Sequence, residues 1–191
     1  MIHSVRGNIS AIIDQFAVVD TGGVGYKVFT HKRALGALRV GEEACFFCHL
    51  HIREDLMDLY GFTLEEELEL FEQLISISGV GPRSALAIME ISDLPGLIAA
   101  IQENRPDLLV RASGVGRKTA ERIVLELRNK VKTTEAGANV RRMEADSDLI
   151  ETLVNLGYRR EQARAALEKV SKETSGLENR LKAAFKILSG K

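Results

Sequence analysis

The sequence has few cysteines, no long apolar run and no secretion signal, and each of these shortages excludes a class of protein. It contains two cysteines in 191 residues, too few for a disulfide framework, which predicts a reducing, cytoplasmic environment. No apolar run approaches the roughly 18–20 residues that a membrane-spanning helix needs, so we expect no membrane association. The first residues lack a basic segment followed by a long apolar stretch, so we also expect no signal peptide.

An excess of positive charge is also missing. The chain carries 26 Lys and Arg residues against 27 Asp and Glu residues, a net charge of −1. Such a chain can bind an anionic polymer only through basic groups that are placed locally. Proline is scarce as well. The three prolines, Pro82, Pro95 and Pro106, each stand at a position typical of a helix start.

The most informative feature is an internal repeat. One pattern of apolar, glycine and alanine positions begins at residue 74 and begins again at residue 109. Its central tetrapeptide, Ser-Gly-Val-Gly, is identical at residues 78–81 and 113–116. A cation recurs at the same offset after it, as Arg83 in the first copy and Lys118 in the second.

Each Gly-Val-Gly predicts a tight hairpin between two helices, because glycine permits positive φ and lets the backbone approach a ligand closely. The helix after the hairpin would present free N–H groups and a positive dipole end, which together form an anion site. Two such sites would hold phosphates of opposite DNA strands across a minor groove without reading sequence. The predicted DNA-binding residues are Gly79, Val80, Gly81, Arg83, Ser84, Gly114, Val115, Gly116, Arg117, Lys118 and Thr119.

The glycines have two other interpretations. Ordinary helix turns with glycine C-caps would explain either copy alone, but explain less well two copies in register with matching cations. Residues 114–119 resemble the end of a nucleotide-binding loop. That loop needs glycine directly before lysine and another glycine five positions earlier, but here Arg117 separates Gly116 from Lys118, and position 111 is Arg111. We therefore predict no ATPase, no catalytic residues and no cofactor in this chain.

The fold class predicted is a multidomain β + α protein. Short alternating runs in residues 1–63 indicate five or six strands in a small antiparallel barrel. Residues 64–132 indicate an all-helical unit with helices at 82–90, 94–103, 106–112 and 117–131, begun by a Thr63–Glu66 capping box. Residues 133–146 are typical of a flexible linker. Residues 147–191 predict three short helices, with Ser175 capping the third.

Three further clusters of residues can be explained either by a function or by structure alone. Glu54 and Asp55, between a strand ending near Ile52 and the segment 59–62, are by themselves typical of a solvated turn. Leu156, Gly157 and Tyr158 form a turn that serves either core packing or docking. A metal site at Cys45, Cys48, His49 and His51 lacks a second ligand pair, so we predict no metal, with buried cysteines and surface histidines.

These features, in this order, resemble the RuvA family of Holliday-junction-binding subunits of the bacterial branch-migration complex. The resemblance covers essentially the whole chain. It rests on Met1-Ile2 to Gly7, Gly22-Gly23-Val24-Gly25-Tyr26, Arg53-Glu54-Asp55 with Leu59-Tyr60-Gly61-Phe62, both glycine hairpins, and Leu156-Gly157-Tyr158. It implies an N-terminal OB-type barrel, a tandem helix–hairpin–helix domain and a mobile C-terminal three-helix (UBA-like) domain.

The resemblance further implies a role in recombination, DNA repair and the SOS response. The assembly would be a homotetramer, or two tetramers sandwiching the junction as an octamer. Glu54 and Asp55 would form an acidic pin that keeps the junction open and square. Leu149, Leu153, Leu156 and Tyr158 would lie on the docking surface for the hexameric RuvB ATPase, which would itself use ATP and Mg²⁺. The RuvC resolvase would join the larger complex.

An enzyme is the main alternative. Helix–hairpin–helix DNA glycosylases also carry a Gly-Val-Gly-Arg-Lys-Thr-Ala run, and Lys118 would then form a Schiff base with the sugar of a flipped base. Such an enzyme also needs a positioned aspartate further along, where this chain has Ala136. A strand-rich N-terminal region does not fit that class either.

Overall fold

The computed structural model describes residues 2–131, 136–170 and 177–188, and within these the side chains of all residues but 136–144. The chain forms two compact units, residues 1–134 and residues 135–191. The first contains β1 (Ser4–Ile13), β2 (Phe16–Asp20), β3 (Gly25–Phe29), α1 (Lys32–Ala37), β4 (Glu43–Arg53), β5 (Leu56–Phe62), α2 (Glu65–Ile75), α3 (Pro82–Met89), α4 (Leu94–Gln102), α5 (Pro106–Leu109) and α6 (Arg117–Leu127). The second contains α7 (Ala136–Asn155), α8 (Arg160–Glu168) and α9 (Leu177–Leu188).

The five strands close into a barrel in the order β1-β2-β3-β5-β4. Every neighbouring pair is antiparallel except β3 and β5, which run parallel with Val28 opposite Leu59. The prediction of an antiparallel barrel is therefore wrong at this one pair. The reason is geometric: a closed ring with an odd number of strands cannot alternate direction all the way round.

Alternate residues along the strands fill the barrel, as the period of two predicts. The buried core consists of Val5, Ile9, Ala17, Val19, Val28, Leu35, Phe46, Cys48 and Leu59. The turn predicted between β2 and β3 is confirmed. Asp20 Oδ1 accepts hydrogen bonds from the N–H groups of Gly22 at 2.9 Å and Gly23 at 2.8 Å, and both glycines adopt positive φ.

The short helix α1, which the sequence pattern did not predict, connects the barrel to the helical region. His31 is its N-cap and accepts the Ala34 N–H through Nδ1 at 3.2 Å. His31 Nε2 lies 3.2 Å from Oε1 of the buried Glu67 side chain in α2. Arg33 donates to the Met89 carbonyl of α3 at 3.0 Å. These bonds help to make residues 1–134 one unit.

The helical region begins as predicted after the barrel, and its three prolines stand in the first turns of α3, α4 and α5. The predicted capping box is wrong. Leu64 occupies the N-cap in an extended conformation without a side-chain cap bond, and three glutamates in the first turn of α2 face the helix dipole instead. Helices α5 and α6 end at Leu109 and Leu127, earlier than predicted, because the chain turns there through Ala112 and Lys130.

Helix α7 begins at Ala136, inside the segment predicted as a flexible linker over residues 133–146. The polar composition was misleading, since residues 136–146 contain no proline and several strong helix formers. The predicted cap Ser175 lies outside the described residues. The core of this unit consists of Leu149, Leu153, Ala163, Ala166, Leu167, Val170 and Ala184.

None of the described helices is by itself long and apolar enough to cross a bilayer. Helices α3 and α4 meet that length and composition test only when taken together, and they are bent against each other by 101°.

Candidate nucleic-acid interface

The two glycines of each hairpin have different conformational roles. Gly79 and Gly114 adopt φ of +91° and +78°, values that side-chain-bearing residues rarely take. Gly81 and Gly116 are the N-caps of α3 and α6 and have extended backbones, with φ of −90° and −81°. The prediction of positive φ is confirmed for the first glycine of each pair. The second glycine is needed for another reason.

The second glycine leaves the space beside the start of the following helix free for a ligand. Among the described residues, and apart from the immediate backbone around each glycine, a Cβ atom built on Gly81 or on Gly116 meets no atom within 4 Å. Glycine has no side chain with which to cap a helix, so the first-turn N–H groups of α3 and α6 have no capping side chain as a partner. The sequence therefore keeps side chains away from two helix N-termini where an anionic ligand could approach the backbone.

The valines between the glycines do not belong to this surface. Val80 and Val115 are each 5% exposed and pack inward. Their predicted place among the DNA-binding residues is therefore corrected for the side chains, which contribute to the core. The hairpin turns its glycines outward and its valine inward because residues on both sides of the turn continue into packed helices.

The predicted polar residues surround the two N-termini unequally. Arg83, Arg117 and Lys118 are exposed, whereas Ser84 and Thr119 are half-buried. Arg117 forms an ion pair with Glu121, one turn further along α6, at 3.0 Å. Neither Arg83 nor Lys118 has an ion-pair partner within the part of the chain that the structure describes. Their charges are therefore available to a ligand.

The hairpins lie against each other. Arg122 of α6 donates from Nη1 to the Ser78 carbonyl, just before the first hairpin, at 2.8 Å. Ser84 Oγ lies 3.5 Å from the position that a Cβ on Gly114 would occupy. Arg122 was not among the predicted site residues. Its signal is the difference between the repeat copies, since the first copy has Ala87 at the matching position.

Glu54 and Asp55 form the two-residue turn between β4 and β5. Arg53 pairs with Leu56 across that turn, and both acidic side chains are exposed. Arg53 donates from Nε to His51 Nε2 at 3.0 Å, so the neutral His51 ring carries its proton on Nδ1. The sequence placed this acidic turn correctly between two strands.

Charged residues from the barrel and from the first hairpin act on one shared side chain, Tyr60. Burial raises the pKa of Tyr60, and the carboxylate of Asp58 raises it further, while the positive charges of Arg83 and Arg53 lower it. Arg83 begins the helix after the first hairpin, and Arg53 borders the acidic turn. The folding of the barrel against the helices has thus brought two regions of the sequence to one neighbourhood.

The cysteine and histidine cluster is embedded in the fold. Burial raises the pKa of the Cys48 thiol to about 12, so this cysteine is an unreactive core residue. His49 Nδ1 lies 2.9 Å from the Glu72 carboxylate, and the His49 ring meets Phe71 edge to face. The described residues contain no group of three His, Cys, Asp or Glu side chains arranged to hold a metal ion.

The predicted docking residues of the second unit separate into two classes. Leu149 and Leu153 are fully buried in the core, whereas Tyr158 is half-buried with its ring edge to face with that of Phe185 at 5.8 Å. Leu156 is 56% exposed. The docking prediction is therefore corrected for Leu149 and Leu153, and it stays a prediction for Leu156 and Tyr158. The physical reason is size, since so small a unit needs nearly all its large apolar side chains for itself.

Three family models match the chain: RuvA N terminal domain over residues 1–61, SAM-like Helix-hairpin-helix tandem over residues 71–129, and RuvA, C-terminal domain over residues 144–189. Several similar proteins carry the name Holliday junction branch migration complex subunit RuvA. The relative from Dehalococcoides mccartyi (strain CBDB1) is 38% identical over 196 residues and covers 100% of both chains. The chain belongs to the RuvA family.

Other relatives with the same name extend this result. The Clostridium perfringens (strain ATCC 13124) protein is 38% identical over 200 residues, with 98% of this chain and 99% of the relative covered. The Mycobacterium avium (strain 104) protein is 38% identical over 195 residues, with 98% of each covered. Membership of the RuvA family confirms the predicted fold class, and the matched helix–hairpin–helix tandem spans both glycine hairpins. The matches do not support the DNA glycosylase alternative.

Proposed function

We propose that the chain binds four-way (Holliday) DNA junctions by their shape, without reading sequence, as a subunit of the branch migration complex after which its relatives are named. One observation carries this proposal. Two backbone sites open to a phosphate share one compact unit with an exposed acidic turn. One folded unit thereby combines groups that attract phosphates with groups that repel them.

The grip comes from the two hairpins. Each would hold one phosphate on the first-turn N–H groups of α3 or α6, and the two phosphates would belong to opposite strands across a minor groove. Arg83 and Lys118 would add charge-assisted contacts, which are roughly twice as strong as neutral hydrogen bonds. Contacts to phosphates position a protein on DNA but carry no sequence information. The hairpins alone therefore explain affinity for any duplex.

Junction preference would come from the array of hairpins, and the open shape of the bound junction would come from the acidic turn at its centre. In a four-fold homotetramer, or in an octamer of two such tetramers, each subunit would contribute Glu54 and Asp55 to the centre of the crossover. Like charges repel, so these carboxylates would push the phosphates of the exchanging strands apart. The junction would then be held open and square, with its arms gripped by the hairpins around it.

The remaining partners belong to the same proposal. The chain would be a non-catalytic subunit in DNA recombination and repair, working in the cytoplasm with a RuvB ATPase that supplies ATP- and Mg²⁺-dependent work, and with the RuvC resolvase in the larger complex. Leu156, the exposed member of the predicted docking residues, is the proposed contact for the motor. Replacing it with alanine should weaken binding of the motor and leave DNA binding unchanged.

The deciding experiment compares a four-way junction with a linear duplex of equal total length in gel shifts at one salt concentration. We expect the junction to be bound at least about tenfold more tightly, since only the junction can occupy all hairpins at once. Equal affinity for the two probes would mean a general DNA-tethering protein. A borohydride-trapped adduct on damaged duplex that depends on Lys118 would instead indicate a lyase.

The acidic turn is tested in the same assay with Glu54→Ala combined with Asp55→Ala. Removing repulsion should leave junction affinity unchanged or raise it, while the bound junction becomes less open in fluorescence measurements between its arms. Glu42→Ala with Glu43→Ala is the matched control, because it removes two exposed acids elsewhere on the barrel. A large loss of junction affinity in the Glu54 and Asp55 variant alone would contradict the pin role.

A further inference from the structure

One side chain ties the two hairpins together. Arg122 lies in α6, the helix after the second hairpin, and its Nη1 donates to the Ser78 carbonyl at 2.8 Å. Ser78 precedes Gly79, so a residue of the second repeat copy holds the backbone at the start of the first hairpin. The two residues are 44 positions apart in the chain.

This bond runs in one direction only. The repeat aligns Arg122 with Ala87, and an alanine side chain cannot return the contact from the first copy to the second. The bond is therefore an addition to the pseudo-symmetric fold rather than a consequence of it. Close to it, Ser84 Oγ lies 3.5 Å from the position of a Cβ on Gly114, so the hairpins also abut directly.

We propose that Arg122 is a positioning residue that sets the distance and orientation between the two phosphate sites. The inference rests on the proposed binding of the DNA backbone. Once one hairpin holds a phosphate, the second hairpin binds its phosphate at a high effective concentration. This gain in affinity is lost when the spacing of the two sites does not match the spacing of the phosphates. A hairpin pair held by a charge-assisted bond presents both sites at the spacing that one groove requires.

The position of Arg122 on the surface lets this role be separated from folding. Its side chain is exposed, and exposed polar contacts contribute little to stability. Arg122→Ala and Arg122→Met should therefore fold, with melting temperatures only slightly below that of the unmodified chain. The competing role is a direct contact between the Arg122 guanidinium and a phosphate, which would not depend on either hairpin.

A double-mutant cycle on the full chain distinguishes these roles, with fluorescence anisotropy on a labelled duplex and a labelled four-way junction. Arg122→Ala should weaken binding to both probes about tenfold. In chains that already carry Gly81→Ala or Gly116→Ala, the same change should cost less than about twofold, because one grip is already lost. Arg122→Lys, which keeps a donor on a long stem, should restore most of the affinity, whereas Arg122→Met should not.

The outcomes separate cleanly. A tenfold loss in every background would assign Arg122 to direct phosphate contact and overturn the positioning role. Unchanged affinity in Arg122→Ala and Arg122→Met would overturn it as well. Failure of the unmodified chain to bind either probe would count against the proposed function itself, which the unmodified arm reports independently of any Arg122 variant.

Discussion

The two hairpins share one tetrapeptide and yet lead into helices that begin differently. In the first, Pro82 takes the first helical position and contributes no N–H group, and Arg83 is the nearby cation. In the second, Arg117 takes that position, keeps its N–H group and is followed by Lys118. The second hairpin therefore offers one more backbone donor and one more cation to a phosphate. Identical turns can thus give unequal grips.

Their surroundings differ in a second way. Arg83 lies near enough to Tyr60 of the barrel for its charge to lower the pKa of that phenol, and Arg53 beside the acidic turn has the same effect. The first hairpin therefore lies close to the barrel strand that carries Tyr60. We expect the second hairpin, which has the extra donor and the extra cation, to contribute more to affinity for any duplex.

The largest effect should come from closing the open space at the second glycine of each hairpin. Gly81→Ala and Gly116→Ala each place a methyl group where a phosphate would approach, and each should lower duplex affinity about tenfold, or about 100-fold together. Stability should hardly change, since the added Cβ meets no atom within 4 Å. Gly36→Ala, also in open space, is the control and should bind normally. Normal binding by the double variant would remove the hairpins from the interface.

The first glycine of each hairpin should show the opposite behaviour, with a loss of stability. Gly79→Ala and Gly114→Ala force a side chain to adopt positive φ, which costs about 1–2 kcal/mol. The free energy of unfolding in urea measures this cost, with Gly81→Ala as the unstrained reference. Equal stability of Gly79→Ala and Gly81→Ala would contradict the division of roles between the two glycines.

The unequal cations should appear in the salt dependence of binding. Arg83→Ala should reduce the slope of log K against log salt by about one, and Arg117→Ala with Lys118→Ala by about two. Within that pair the loss from Arg117 should be the smaller, because Glu121 already neutralises part of its charge at 3.0 Å. Equal slopes for the two variants would show that the hairpins grip alike.

The smallest expected effect is the pH dependence of stability that is linked to His51 in the barrel. Burial lowers the pKa of His51, and the charges of Arg53 and His49 lower it further, while Asp58 opposes them. The folded chain therefore binds this proton less readily than the unfolded chain, whose histidine has a pKa of 6.5. The stability linked to His51 is complete above that pH and is lost as the pH falls below it.

Melting temperatures between about pH 5 and pH 8, the range in which histidine changes charge, test this linkage. His51→Asn should fall less in melting temperature toward acidic pH than the unmodified chain. His3→Asn, at an exposed histidine of the same barrel, should keep the full dependence. A steeper acid dependence in His51→Asn would mean that the folded chain binds this proton more readily, contrary to the expected direction.

The features that were predictable from the sequence are local ones. The glycines of the hairpins, the prolines at helix starts and the Asp20–Gly23 turn depend on backbone preferences of a few adjacent residues, and each was confirmed. The acidic turn was equally local. The OB-type barrel and the tandem helices were predictable from the alternation of residue types and from the resemblance to a family.

The features that the sequence did not reveal depend on contacts between distant residues. Val80 and Leu149 are buried because they pack in cores formed by residues that are distant in the sequence. The bond from Arg122 to Ser78 and the effect of Arg83 on Tyr60 arise only after the chain has folded back on itself. The parallel strand pair is a property of ring closure, and α7 extended into a polar segment whose composition favoured a linker.

The parallel pairing, or seam, between β3 and β5 affects how the folded chain unfolds. The chain must pass through α1 and β4 before that seam can form. Helix α1 contacts α2 through His31 and is hydrogen-bonded to α3 through Arg33. Barrel closure and helix docking are therefore parts of one cooperative event, and we expect amide protons in both regions to exchange together. A defect deep in the barrel, such as a cavity at the fully buried Phe46, would then loosen the hairpins although no DNA comes near it.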